Sequence, residues 1–277
     1  MRFLISILTF LFIANPVFAE RFQGRIIEIV DGRADPSKPA PVVIALHPFL
    51  GTAASMRKST GFDILAKRNG IVAVFATGLK RKWNDGRNSR PAPDDVKYLS
   101  NLIGNLVLTR NVDPKRVFLA GHSNGGGMAM RMACDRPDLI AGISVAATKL
   151  AANYTCANGK SVPAIFFYGT EDTISPHAGR PAGRLGETIS ATATIANWAK
   201  RNKCGNAHAP QVVDRHNDGT KAEIYQYSRC RKALTYVEIE GHGHGWPGGA
   251  GQGTRLQGPA SKEINATSMT WRFFNGR

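Results

Sequence analysis

The sequence predicts a single α/β domain: a mostly parallel sheet with helices on both faces and no separate lid domain. Three observations predict it. Short runs rich in Val, Ile and Phe alternate with helix-length stretches along the chain. Those runs are nearly continuous rather than alternating in polarity, as strands covered on both faces require. No internal repeat or low-complexity linker divides the 277 residues, and 43% of them are hydrophobic, enough for one full core.

The first nineteen residues stand apart from that domain. Arg2 precedes the apolar run Phe3–Ala14, Asn15-Pro16 breaks it, and Val17-Phe18-Ala19 presents the residue types a signal peptidase reads. Residues 1–19 are therefore expected to be a secretory leader cut after Ala19, leaving residues 20–277 as the mature domain. The apolar run falls short of the roughly 20 residues a bilayer core needs, so no membrane span is expected.

Six segments read as strands: Pro41–His47, Ile71–Ala76, Arg116–Ala120, Ile140–Ala146, Val162–Tyr168 and Leu234–Ile239. Five read as helices. Phe62–Asn69 stops at Gly70, and Ala92–Arg110 carries Asp94 and Asp95 in its first turn. Asn124–Asp135, Thr188–Asn202 and Lys262–Phe274 complete the set. The segments Leu79–Pro93, His177–Glu187, Gly205–Lys232 and Trp246–Ser261 are long and non-periodic. Loops of that length in a compact domain tend to carry function.

Lys and Arg number 36 against 20 Asp and Glu, a formal net charge of +16. The basic clusters Lys80-Arg81-Lys82, Arg87-Asn88-Ser89-Arg90 and Arg229-Cys230-Arg231-Lys232 form no recognised nucleic-acid motif. They fit a solvated surface, or one that attracts acidic polysaccharide or an anionic cell surface. Asn153-Tyr154-Thr155 and Asn265-Ala266-Thr267 match the glycosylation sequon, a short pattern frequent by chance.

Four cysteines are too sparse for a disulfide scaffold, but export permits disulfides. Of three possible connectivities, Cys134 with Cys156 and Cys204 with Cys230 is favoured because each bridge then staples one loop. No Cys or His spacing suits a metal, and neither metal nor cofactor is expected.

The chemistry is expected at Gly121-His122-Ser123-Asn124-Gly125, which lies between a predicted strand and a predicted helix. In that context G-x-S-x-G is a sharp turn that lifts a serine hydroxyl to the carboxyl end of the sheet. The Asn124 N–H, opening the helix, is placed to meet an oxyanion. His122 adjoins the serine on the turn and points away from it, so it is expected to line or pack the pocket. An acid and a base must follow in that order. Asp172 is preferred over Glu171 in the loop after Val162–Tyr168, and the base is His242 or His244 in Gly241–Gly249, which spacing alone does not separate.

With these pieces in place the chain resembles the secreted polyhydroxybutyrate depolymerase-like and feruloyl or acetylxylan esterase-like α/β-hydrolases, the carbohydrate esterase family one type. The resemblance rests on Val42–His47, Trp83-Asn84, Asp94-Asp95-Val96, Val112–Val117, Gly121–Gly126, Gly169–Asp172, His244–Gly248 and Trp271–Phe274. It implies the α/β-hydrolase fold and His244, the histidine before x-Trp-Pro-Gly, as the base. It also implies the two loop-stapling disulfides.

One position departs from the family. His-Gly is usual after the first central strand, with N–H groups just beyond it completing the oxyanion hole. This chain has His47-Pro48-Phe49, and Pro48 has no N–H. Phe49 is the expected donor.

The expected function is a secreted monomeric ester hydrolase working through an acyl-enzyme, with Ser123, His244 and Asp172 as its triad. Its substrate would be a small or polymeric ester: a polyhydroxyalkanoate oligomer, or feruloyl or acetyl groups on polysaccharide. Trp83 and Trp246, with His47 and His122, are expected around the substrate, although Trp246 could equally pack the histidine loop. A serine peptidase or acyltransferase on the same fold would share the triad. A basic binding protein with a weakened site is the remaining class.

Overall fold

The computed structural model describes residues 17–87, 93–156, 159–183, 186–251 and 253–276. Most of the expected leader, residues 1–16, lies outside them, as do the Asn88–Arg90 end of one basic cluster and the expected start of the second predicted helix, Ala92. The chain opens with a hairpin that the sequence reading did not foresee. β1 (Val17–Phe22) and β2 (Arg25–Asp31) pair antiparallel across Gln23-Gly24, both at positive φ (48° and 78°), the conformation a two-residue hairpin turn needs.

The predicted strands then appear in order. β3 (Ala40–Leu46) is buried throughout; α1 (Ala53–Thr60) and α2 (Phe62–Asn69) lead to β4 (Val72–Ala76). After a 3₁₀ turn at Leu79–Arg81 come α3 (Asp95–Arg110), β5 (Val112–His122), α4 (Asn124–Asp135), β6 (Gly142–Ala146) and β7 (Ala164–Gly169). The chain closes with α5 (Ala191–Arg201), β8 (Gln211–Val213), β9 (Lys221–Gln226), β10 (Leu234–Glu240) and α6 (Ala266–Phe274).

The strand order is β1-β2-β4-β3-β5-β6-β7-β10-β9-β8, parallel from β4 to β10 and antiparallel at both margins. The six expected strands are thus the parallel centre, and the unforeseen four are the edges. Edge strands β1, β8 and β9 expose many residues, so their sequences lack the unbroken apolarity that marks the buried strands. The segment Gly205–Lys232, read as a loop, holds β8 and β9.

Two apolar layers sandwich the sheet. Tyr98, Leu99, Leu102 and Leu106 of α3, Met128 and Met132 of α4 and Trp198 of α5 cover one face. Met56 of α1, Phe62 and Leu65 of α2 and Trp271 of α6 cover the other. Local chemistry sets several helix ends. Thr52 and Ser55 form a reciprocal capping box on α1, Ser190 caps α5, and Asn265 caps α6 by accepting the Ser268 N–H at 2.8 Å. That cap, with a second bond from Asn265 Nδ2 to Gly248 O, commits one of the two sequon asparagines to the fold.

Asp94 proves to be the cap of α3 rather than a first-turn residue, accepting the Lys97 N–H at 2.9 Å. Asp95, in the first turn as expected, is buried and holds Arg25 at 2.6 Å and the Asn84 N–H at 2.7 Å. Disulfides join Cys134 to Cys156 and Cys204 to Cys230, the favoured pairing. Among the described residues no helix is long and apolar enough to cross a membrane.

Candidate active site

β5 delivers Ser123 into a turn at φ 52° and ψ −119°, a conformation that is costly for a residue with a side chain. The surroundings hold it there. Ser123 N–H donates to Ala146 O at 2.8 Å, and Ser123 O accepts from Gly127 N–H at 3.0 Å. A side chain at Gly121 would strike the Gly125 carbonyl, and one at Gly125 would strike the Leu46 and His47 carbonyls. The two motif glycines therefore let the start of α4 press against the end of β3. The first N–H groups of α4 have no partner within the helix and point out of its N-terminus beside the serine.

His244 Nε2 lies 2.9 Å from Ser123 Oγ, and its Nδ1 lies 2.8 and 2.9 Å from the two oxygens of Asp172. Asp172 also accepts the N–H groups of Ile174 (3.0 Å) and Ser175 (2.7 Å). Burial alone would raise its pKa, but the His244 contact, the Ser175 N–H and the nearby Lys149 charge together hold it below the usual carboxylate value. Nδ1–H of His244 thus donates to the carboxylate, which leaves Nε2 free to accept from the serine hydroxyl. Glu171, the other acid considered, is exposed. His242, the other histidine, is buried between the Ser261 N–H (3.0 Å) and Gly245 O (3.2 Å).

The loop after β3 places its donors unevenly. His47 Nδ1–H donates to Pro48 O at 2.7 Å, and the same carbonyl accepts the Gly51 N–H at 2.8 Å. The Leu50 N–H is taken by Arg81 O at 2.8 Å. Among the described residues, the Phe49 N–H has no protein acceptor. It is the only donor left between His47 and Gly51.

The four residues expected around the substrate are all buried, which for His122 and Trp246 is the packing alternative of that expectation. His47 Nε2 accepts the Gly78 N–H at 2.9 Å, and burial pulls its pKa down to about 4, so it is a neutral strut under the Pro48 turn. His122 donates from Nε2 to His244 O at 2.6 Å; burial lowers it to about 3, and it too is neutral. Trp246 packs against Phe62, Phe167 and His122 and donates Nε1–H to Thr267 Oγ1 at 2.9 Å, tying the histidine loop to α6. Trp83 lies between His47 and Tyr98. Aromatic residues next to functional ones can line a pocket or pin a loop; here buried surface favours the second.

Sequence reasoning missed the clamp on Asn124. Its side-chain amide accepts the Trp83 N–H (2.7 Å) and donates to Trp83 O (2.9 Å) and Asp85 Oδ2 (2.8 Å). Asp85 is buried and pairs with Arg87. Gly127 leaves room for that carboxylate, since a Cβ there would lie 2.6 Å from Asp85 Oδ2. The Trp83–Arg87 segment is steadied further by Arg131 Nη1, which donates to Asn84 O at 2.7 Å. Lys149 was also missed. It is buried under the acid loop, donating to Ser175 O and lying 4.8 Å above the Tyr168 ring, and burial lowers its pKa to about 8. An acid or lysine inside an otherwise ordinary loop gives no periodic signal, and only the tertiary contacts single it out.

No protein-family model matches the chain. Over 219 residues it is 28% identical to feruloyl esterase B of Piromyces equi, covering 75% of this chain and 40% of that protein. It is 27% identical over 268 residues to the poly(3-hydroxybutyrate) depolymerase of Ralstonia pickettii, covering 86% of this chain and 53% of that one. The chain thus spans about half the length of these relatives or less. Among solved structures, acetyl xylan esterase from Aspergillus awamori superposes with a TM-score of 0.65 at 12% identity, over 95% of this chain and all of that one. The chain has the α/β-hydrolase fold, and over most of its length its sequence is similar to a feruloyl esterase and a polyhydroxybutyrate depolymerase.

Proposed function

We propose that the protein is a serine carboxylic-ester hydrolase that works through an acyl-enzyme. The observation that carries this reading is the hydrogen-bonded line Ser123–His244–Asp172, with the serine on a strained turn at the carboxyl end of the sheet. Ser123 Oγ attacks the ester carbonyl as His244 Nε2 takes its proton, and Asp172 stabilises the imidazolium. The Asn124 and Phe49 N–H groups receive the oxyanion. His244 then protonates the leaving alcohol, and water repeats the sequence on the acyl-enzyme with His244 as base.

The names of the relatives support hydroxyalkanoate oligomers, and feruloyl or acetyl esters of polysaccharide, as the substrate classes of this reading. Soluble feruloyl, acetyl and 3-hydroxybutyryl esters assayed side by side test this reading. Hydrolysis of at least one, with no transfer of the acyl group to added alcohol, is expected. Hydrolysis of none would overturn it.

Secretion belongs to the same proposal. Its supports are the leader-like residues 1–19 and the two disulfides, which persist in oxidising compartments. Val17 and Phe18 are exposed, and β1 keeps Glu20–Phe22 on β2 after a cut at Ala19. N-terminal sequencing of exported protein is expected to begin at Glu20.

A further inference from the structure

Two loops beside the proposed oxyanion donors expose apolar side chains. Phe49, Leu50 and Leu79 are 51%, 54% and 44% accessible, among the few large hydrophobic residues turned to solvent. Isolated exposed leucines mean little, but these three belong to loops that hold each other. The Leu50 N–H donates to Arg81 O, and the Arg81 guanidinium returns hydrogen bonds to Leu50 O and Gly51 O.

The backbone is strained where it projects them. Leu50, Lys80 and Arg81 all sit at positive φ (63°, 52° and 59°), a region that side-chain-bearing residues seldom occupy. The Leu79–Lys82 turn is also fixed at both ends to the site. Gly78 N–H binds His47 before it, and Trp83 pairs with Asn124 after it. The ridge is thus tied through its flanking residues Gly78 and Trp83 to His47 and Asn124, while the side chains of Leu79, Lys80 and Lys82 turn to solvent.

Its charge has one sign. Residues 47–62 and 71–84 contain no carboxylate, while Lys80, Arg81 and Lys82 are exposed along the ridge, on a chain of net charge +16. Apolar tips flanked by cations complement a surface that is apolar beneath and anionic on top. All four tryptophans are buried, so Phe49 is the one aromatic ring on the ridge turned to solvent.

We propose that the Phe49–Leu50 and Leu79–Lys82 ridge docks the enzyme on an anionic lipid–water interface, with the apolar tips in the acyl region and Lys80 and Lys82 against the headgroups. This rests on the esterase reading of the site only in placing ester substrate at that interface; the docking itself is separable.

The test is sedimentation of the mature protein with vesicles of phosphatidylcholine alone and with phosphatidylglycerol added, alongside hydrolysis of a soluble ester. Wild type is expected to partition onto the phosphatidylglycerol vesicles and to be released by salt. The K80Q/K82Q double variant is expected to lose about 30-fold in partitioning, and Leu79→Asp is expected to weaken binding to the same vesicles. Both are expected to keep their rate on the soluble ester. Equal wild-type binding to the two vesicle types, undiminished binding by the variants, or retention on acidic polysaccharide without vesicle binding would overturn the docking proposal. Loss of soluble-ester hydrolysis in wild type, with vesicle binding intact, would overturn the esterase reading instead.

Discussion

The Asp85 carboxylate holds the side-chain amide of Asn124 at 2.8 Å, and the backbone N–H of that same Asn124 opens the helix behind Ser123. A buried acid thereby fixes the peptide that is proposed to receive the oxyanion. Asp85→Ala removes one of the two acceptors of Asn124 Nδ2, leaving only Trp83 O, and the carboxylate that pairs with Arg87. The expected result on a soluble ester is a fall in kcat of about 10–100-fold with KM nearly unchanged, because small misplacements of such donors are costly. Asp85→Asn, which keeps an acceptor oxygen, is expected to lose less. Steady-state kinetics of the two variants check the order.

Pro48 gives a second test of the same hole. With Phe49 as the donor, Pro48 serves only as a stiff link whose carbonyl ties the loop together. Pro48→Ala, which restores an N–H at that position, is therefore expected to change kcat/KM by less than about threefold. A gain approaching 10²-fold, the usual worth of one oxyanion donor, would show instead that the missing N–H belongs at position 48.

Three buried neutral histidines predict how stability responds to acid. Burial depresses the folded-state pKa of His47 to about 4 and of His122 to about 3, and lowers that of His242. The unfolded chain takes up these protons near pH 6.5, so the stability they contribute is complete above that pH. It is lost as pH falls from about 6.5 towards 4, at about 1.4 kcal/mol per pH unit for each of His47 and His122, and His242 adds a loss in the same direction. Asp172 acts in a lower window: its depressed pKa matters only below about pH 4. Denaturant midpoints measured from pH 7 to 4.5 are expected to drop steeply; a flat profile would mean that these rings are not buried and neutral.

Trp246 is predicted to act through packing. Trp246→Phe forfeits the bond to Thr267 and is expected to cost about 1 kcal/mol of stability, whereas Trp246→Ala leaves a cavity and is expected to cost about 3–5 kcal/mol. If Trp246 were chiefly a substrate wall, both variants would raise KM with little loss of stability. Chemical denaturation together with kinetics separates the two.

The contrast between what the sequence revealed and what it concealed has a physical cause. Buried parallel strands need apolarity on both faces, so β3 to β7 and β10 are visible as runs; α2 and α4 have the predicted bounds because Gly70 and the Ser123 turn punctuate them. Strands β1, β8 and β9 pair at the margins through backbone groups and carry mixed side chains, so little in their composition sets them apart, while in β2 the run Ile26–Val30 is broken by the buried Glu28. The same division runs through the site. Ser123, Asp172 and His244 follow turns and glycines that any reader of the chain meets. Asp85 and Lys149 lie outside those turns in sequence, Arg131 lies two helical turns into α4, and all three reach their partners only through the fold. Trp83 and Trp246 were met in the right loops, but a tryptophan's letter does not say which way its ring turns.

The most direct test is the mass of the folded protein quenched during turnover of a slow ester, followed by digestion to locate the adduct. Ser123 acting as nucleophile predicts one acyl group on the peptide containing Ser123, absent from Ser123→Ala, which is also expected to lose at least about 10³-fold in kcat. An adduct on another residue, or hydrolysis undiminished in Ser123→Ala, would contradict it.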